Sequence, residues 1–99
     1  MNRTSKAEDF SMYKAILKLK TAEECSRFFE DLCTVQELNT LEQRYRVAEL
    51  LRQGMSYNEI LEKTGASSAT ISRVNRSLQY SSGGYEIVFQ RLEKDGRDE

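Results

Sequence analysis

The sequence predicts an all-α chain of five to six short helices that contains a helix-turn-helix. Four observations carry this. Apolar residues recur with the 3.6-residue period of a helix almost without interruption from residue 7 to 79. No segment alternates with the period of two that a half-buried strand requires. There is no proline to break the pattern. The fourth is the run from Ser56 to Leu78, in which a cap, an apolar pair, a glycine, a small residue, a second cap and an apolar triad follow in order.

The elements follow from the N-terminus. Residues Lys6 to Lys20 place Phe10, Tyr13, Ile16 and Leu17 on one side of a first helix. Thr21 with Glu24 forms a capping-box pattern and opens a second, carrying Ala22, Cys25, Phe28, Phe29 and Leu32. Thr34 with Glu37 repeats the pattern and opens the longest helix, expected to reach about Gln53, with Gly54 ending it. Its stripe is Leu38, Leu41, Tyr45 and Ala48, widened by Val47, Leu50 and Leu51.

Ser56 and Glu59 then cap a short helix whose buried side is Ile60 and Leu61, and Gly65 stops it. Ala66 is small enough for an elbow. Ser67 or Ser68 caps the next helix, on which Ile71, Val74 and Leu78 recur at i, i+3 and i+7. The helix-turn-helix thus spans about residues 56–79. Tyr80 to Gly84 reads as a loop, and a last helix over Tyr85 to Lys94 offers Ile87, Val88 and Leu92. Residues 95–99 are charged and expected to fray.

At about 100° per residue, Ala69, Ser72, Arg73 and Arg76 cluster on the side of the second helix away from Ile71, Val74 and Leu78. Small groups there let a helix settle into a major groove, and arginines reach phosphates or guanine edges. The expected DNA-binding residues are Ser67, Ser68, Ala69, Thr70, Ser72, Arg73 and Arg76. Ala69, Ser72 and Arg73 are expected at base edges, and Ser67, Ser68 and Arg76 at the backbone. The competing reading is an ordinary helical hairpin with serine caps and a solvated arginine face.

Ninety-nine residues make one domain, 1–99, and a thin one that gains from oligomerisation. Fifteen basic residues stand against sixteen acidic, a net charge of −1 that is unusual for a nucleic-acid binder. Distribution matters more than the total. No acid occurs from Lys63 to Tyr85, while acids gather at Glu23, Glu24, Glu30, Asp31 and in the tail. The apolar stripes exceed what one thin bundle covers, so residues 10–51 are expected to build a homodimer interface. Such a dimer would space two recognition helices about 34 Å apart, one turn of DNA.

Cys25 and Cys33 lie about 12 Å apart along one helix, too far for a disulfide, and read as small buried hydrophobes in a reducing cytoplasm. There is no histidine, no glycine-rich phosphate loop and no metal-ligand spacing, so neither an enzyme nor a metal or other cofactor is expected. No apolar run approaches a membrane span and no signal peptide opens the chain.

The residues Phe28-Phe29-Glu30-Asp31-Leu32-Cys33-Thr34, Arg44, Thr64-Gly65-Ala66-Ser67, Thr70 through Leu78 and Gly83-Gly84-Tyr85 resemble the Trp repressor family, and more narrowly its YerC/YecD-type branch. The resemblance covers about residues 10–90 and is most specific from Ala69 to Leu78. It implies an intertwined helical homodimer that binds palindromic double-stranded DNA in a bacterial cytoplasm as a transcriptional regulator, most simply a repressor. It also implies a possible effector pocket. Arg73 and Ser77 match two residues that hold tryptophan in that family. Arg44 matches a third if one residue is skipped; without the gap Gln43 falls there. Where the family has a glycine that leaves room for the indole, this chain has Val74. Tryptophan is therefore not the expected effector. Two other functions remain open on the sequence: a helical module that binds an acidic protein partner, and DNA binding without control of transcription.

Overall fold

The computed structural model describes residues 9–98, with burial resolved for residues 9–96. The described residues form six helices and no strand: α1 Ser11–Ile16, α2 Ala22–Leu32, α3 Val35–Arg52, α4 Tyr57–Thr64, α5 Ser68–Gln79 and α6 Gly84–Asp98. The chain divides into two compact units between Leu38 and Asn39, inside α3.

In the first unit the helices are set by their caps more than by burial. Thr21 accepts the Glu24 N–H at 3.0 Å, so α2 starts where the sequence predicts. The box is only half closed, because the Glu24 carboxylate accepts from the Lys20 N–H at 2.8 Å, one residue further back. The Thr34 box does close. Thr34 N–H donates to Glu37 at 2.9 Å and Glu37 N–H to the Thr34 hydroxyl at 3.1 Å. Helix α1 is shorter than expected: it begins at Ser11, without a side-chain cap, and turns out of the helix after Ile16. The expected start at Lys6 lies outside the described residues. Neither α1 nor α2 carries a fully buried residue.

The second unit holds the core. Val47, Ala48 and Leu50 of α3, Ile60 of α4, Ala66 in the elbow, Ile71 and Val74 of α5 and Phe89 of α6 are all at most 4% exposed. Tyr45, Leu51, Met55, Leu78 and Tyr85 pack around them. Each fully buried aliphatic side chain contributes about 1.5–3 kcal/mol relative to an exposed one, so Ile60 of α4 with Ile71 and Val74 of α5 anchors the helix-turn-helix in this core. Helix α3 stops as the sequence predicts. Gly54 takes φ +88°, its N–H donates to Leu51 O at 3.0 Å, and Met55 N–H reaches Leu50 O at 3.1 Å. That is a Schellman ending, closed by two residues of the core, Leu50 and Met55.

Helix α6 runs on to Asp98, past the frayed tail expected from residue 95. The segment contains no proline, and one interior glycine, Gly96, costs a helix only about 1 kcal/mol. Charge alone did not unwind it. Glu99 lies outside the described residues.

Candidate nucleic-acid interface

The helix-turn-helix is assembled by local chemistry at both starts and by a left-handed glycine at the bend. The Ser56 hydroxyl accepts the Glu59 N–H at 3.2 Å and the Glu59 carboxylate accepts the Ser56 N–H at 2.9 Å, a complete capping box. Hydrogen bonding of the Glu59 carboxylate to the Ser56 backbone first, and to the Ser56 side chain second, lowers the Glu59 pKa below its ordinary value, with a smaller contribution from Lys63. Gly65 closes α4 at φ +73°, its N–H on Leu61 O at 2.8 Å. A side chain placed on Gly65 would meet nothing within 4 Å. Backbone conformation, not space, is what requires glycine here.

Ser67, rather than Ser68, caps α5: its hydroxyl accepts the Thr70 N–H at 3.1 Å. The Ser67 and Thr70 hydroxyls also bond to each other at 3.1 Å, and Thr70 is half-buried. The N-terminal turn of α5 is thus fixed by its own side chains.

Beyond that turn the two faces of α5 separate. Ile71 and Val74 are 0% and 2% exposed, whereas Ser68, Ala69, Ser72, Arg73 and Arg76 are all exposed. The exposed side of α5 therefore combines methyl and hydroxyl groups with two guanidinium groups. The ion pairs found among the described residues, Arg46–Glu49, Arg52–Glu86 and Arg52–Glu93, all lie on other helices and engage neither Arg73 nor Arg76. Those charges stay available to an external anion.

The residues matched to an effector pocket differ in burial. Arg73 and Ser77 are exposed, Arg44 is half-buried, and the Val74 side chain belongs to the core. Gln43, the alternative match on α3, donates its amide to the Thr64 carbonyl at 3.2 Å. Cys25 and Cys33 are free and half-buried. No cluster of metal-ligating residues occurs among the described residues, and none of their helices is long and apolar enough to cross a membrane.

Sequence reasoning missed two long-range ties. One is the Gln43–Thr64 bond, which spans 21 positions. The other is Arg52, which bonds Glu86 at 2.6 Å and Glu93 at 2.9 Å and lies 5.3 Å from the centroid of the Phe89 ring. It fastens α6 to the end of α3. Neither tie has a local signal, since each joins residues whose spacing follows no helical period.

Known proteins share this arrangement. Residues 9–93 match the family described as Trp repressor protein. The chain is 49% identical over 83 residues to the uncharacterised protein YerC of Bacillus subtilis (strain 168), covering 84% of this chain and 80% of that one. Among solved structures it is similar to a TrpR-like protein from Eubacterium eligens, with TM-score 0.79 and 55% identity over 83% of this chain and 84% of that one. A candidate Trp repressor from Staphylococcus aureus gives TM-score 0.78 and 48% identity over 83% and 82%. With its six helices, its capped bend at Gly65 and these matches, the chain belongs to the Trp repressor family.

Proposed function

We propose that this protein is a sequence-specific, DNA-binding regulator of transcription in a bacterial cytoplasm, that it acts as a homodimer, and that it represses by occupying its operator. The observation that carries this reading is the exposure of Ala69 and Ser72 together with Arg73 and Arg76 on the outer face of α5. A carbon-poor face of that kind fits a major groove, and the arginines reach phosphates or guanine edges. Ser67 and Ser68 lie at the N-terminus of α5, where the helix dipole favours a phosphate. Thr70 braces that end through Ser67.

The dimer is supported by apolar surface that the single chain leaves open. Phe10 is 52% exposed, Tyr13 45%, Leu17 82%, Leu32 50% and Val35 77%. Isolated apolar residues at a surface need no explanation, but a series along α1, α2 and the start of α3 marks an interaction face. A second copy covering it would present two α5 helices to one face of a duplex. Residues 1–99 then act as one domain of a two-chain assembly.

No cofactor is needed for this action, and tryptophan is not the effector. The Val74 isopropyl group occupies the core at 2% exposure, in the position where the family's pocket depends on a glycine. Calorimetric titration with L-tryptophan is expected to show no binding at micromolar ligand; saturable micromolar heat would refute it.

The function itself is tested by selecting bound duplexes from a random pool, then measuring the salt dependence of the shift. A palindromic consensus and an affinity that falls steeply with salt are expected. Failure to bind any duplex would favour the reading as a protein-interaction module, and binding without sequence preference would remove the role in transcription.

A further inference from the structure

We propose that Gln43 is a positioning residue for DNA recognition. On this reading, its hydrogen bond to the elbow sets the angle at which the α4–α5 hairpin leaves α3, and with it the separation of the two recognition helices in a dimer. The inference rests on the function proposed above and adds a determinant of operator spacing to it.

Thr64 ends α4, and the last carbonyls of a helix have no partner within it. The Gln43 side-chain amide, half-buried on α3, donates to the Thr64 carbonyl at 3.2 Å. Thr64 passes the constraint along the bend: its hydroxyl donates to Ile60 O at 2.8 Å and accepts the Ala66 N–H at 3.1 Å. Ala66, 1% exposed, is one residue before the Ser67 cap of α5. A continuous path of directional bonds therefore leads from α3 through the end of α4 to the start of the recognition helix.

The buried residues that the hairpin and α3 bring to the common core are aliphatic: Val47, Ala48 and Leu50 of α3 cluster with Ile60, Ala66, Ile71 and Val74. Such packing holds the helices together but is non-directional, and it tolerates small rotations. Among the described residues the Gln43 amide supplies a side-chain hydrogen bond that fixes direction between α3 and the bend. A small rotation at the elbow is magnified at the far face of α5. Two copies rotated in opposite senses would misplace both helices against successive grooves.

Gln43→Met keeps the length and the packing of the side chain and removes the donor. It is to be compared with the wild-type chain on three probes: a duplex selected by the wild type, the same duplex with half-sites moved by one base pair, and a single half-site. The expected result is a loss of roughly 3- to 10-fold on the selected duplex, the range one net hydrogen bond supplies. Half-site binding should stay within about twofold, and the wild type's penalty for shifted spacing should shrink. The melting temperature should fall by several degrees at most, as the loss of one net hydrogen bond allows. In parallel, amide exchange at Gly65 and Ala66 should speed up while exchange at Val47 and Phe89 does not.

Unchanged affinity for the selected duplex, or an equal loss on half-site and full site, would overturn the proposal and leave the DNA-binding reading intact. Unchanged exchange at Gly65 and Ala66 would overturn it without reference to DNA. A wild-type chain that binds no duplex would remove both.

Discussion

Arg52 grips Glu93 in a fork. Its Nε donates to one carboxylate oxygen at 2.9 Å and its Nη2 to the other at 3.2 Å, across 41 positions of sequence. The third guanidinium nitrogen takes Glu86 at 2.6 Å. The hydrogen bond from Arg52 is the main cause that lowers the Glu86 pKa, and the bonds that Arg52 donates to Glu93 and Glu86 raise its own. The pair is exposed, so salt screens it, but the planar fork and its position beside Phe89 make it specific to arginine. Arg52→Lys should lower the melting temperature at low salt, and the difference from wild type should narrow as salt is added. A mutant that melts with the wild type at every salt concentration would show that α6 is held by Phe89 and Tyr85 alone.

The bend makes a different kind of demand. At Gly65 the backbone is left-handed with open space around it, so an added methyl group costs strain and nothing else. Gly65→Ala should destabilise by about 1–2 kcal/mol, and Gly65→Asn by less, since asparagine tolerates that conformation. Thermal or urea unfolding measures both. Equal destabilisation by the two would point to a cause other than backbone strain.

Acid sensitivity follows from Glu59. Its carboxylate is held below the ordinary value of 4.5 by the Ser56 hydrogen bonds. A depressed folded pKa means that its contribution to stability is complete above the unfolded value and is lost as pH falls through the folded one. Glu59→Gln keeps an acceptor for the Ser56 N–H without the titration. The difference between wild type and variant should thus be constant above about pH 5.5, one unit over that ordinary value, and change below 4.5. A difference that is flat through pH 3 would exclude the capping box as the source.

Core face and outer face can be separated on one helix. Ile71→Ala removes a fully buried side chain and should cost about 2–5 kcal/mol. Ser72→Ala, one position on, is exposed and should stay within about 0.5 kcal/mol, yet it should change which duplexes are bound. Reversal of that pattern would place Ser72 inside and Ile71 outside.

What was legible in the sequence was whatever neighbouring residues decide among themselves. The caps at Ser56, Thr34 and Ser67 need partners three residues away, and the stops at Gly54 and Gly65 need only their own backbone. The triad Ile71, Val74 and Leu78 announces its side by period alone. The limits of α1 and α6 were not legible, because periodicity and charge do not say where a helix without a strong cap or breaker ends. Arg52 and Gln43 were hidden for another reason. Their roles depend on which helices meet, and an arginine or glutamine on a helix surface looks the same in sequence whether it faces water or a neighbour. Gln43 in particular competed with Arg44 for the same match, and the bond to Thr64 gives it a structural task of its own.

The central claim, that the outer face of α5 enters a DNA groove, is tested most directly by Ala69→Glu in a gel shift on a duplex selected by the wild type. Ala69 is exposed, so the fold should survive, as circular dichroism would verify. A carboxylate at that point would stand against the duplex, and the shift is predicted to vanish. A shift of undiminished strength would contradict the account.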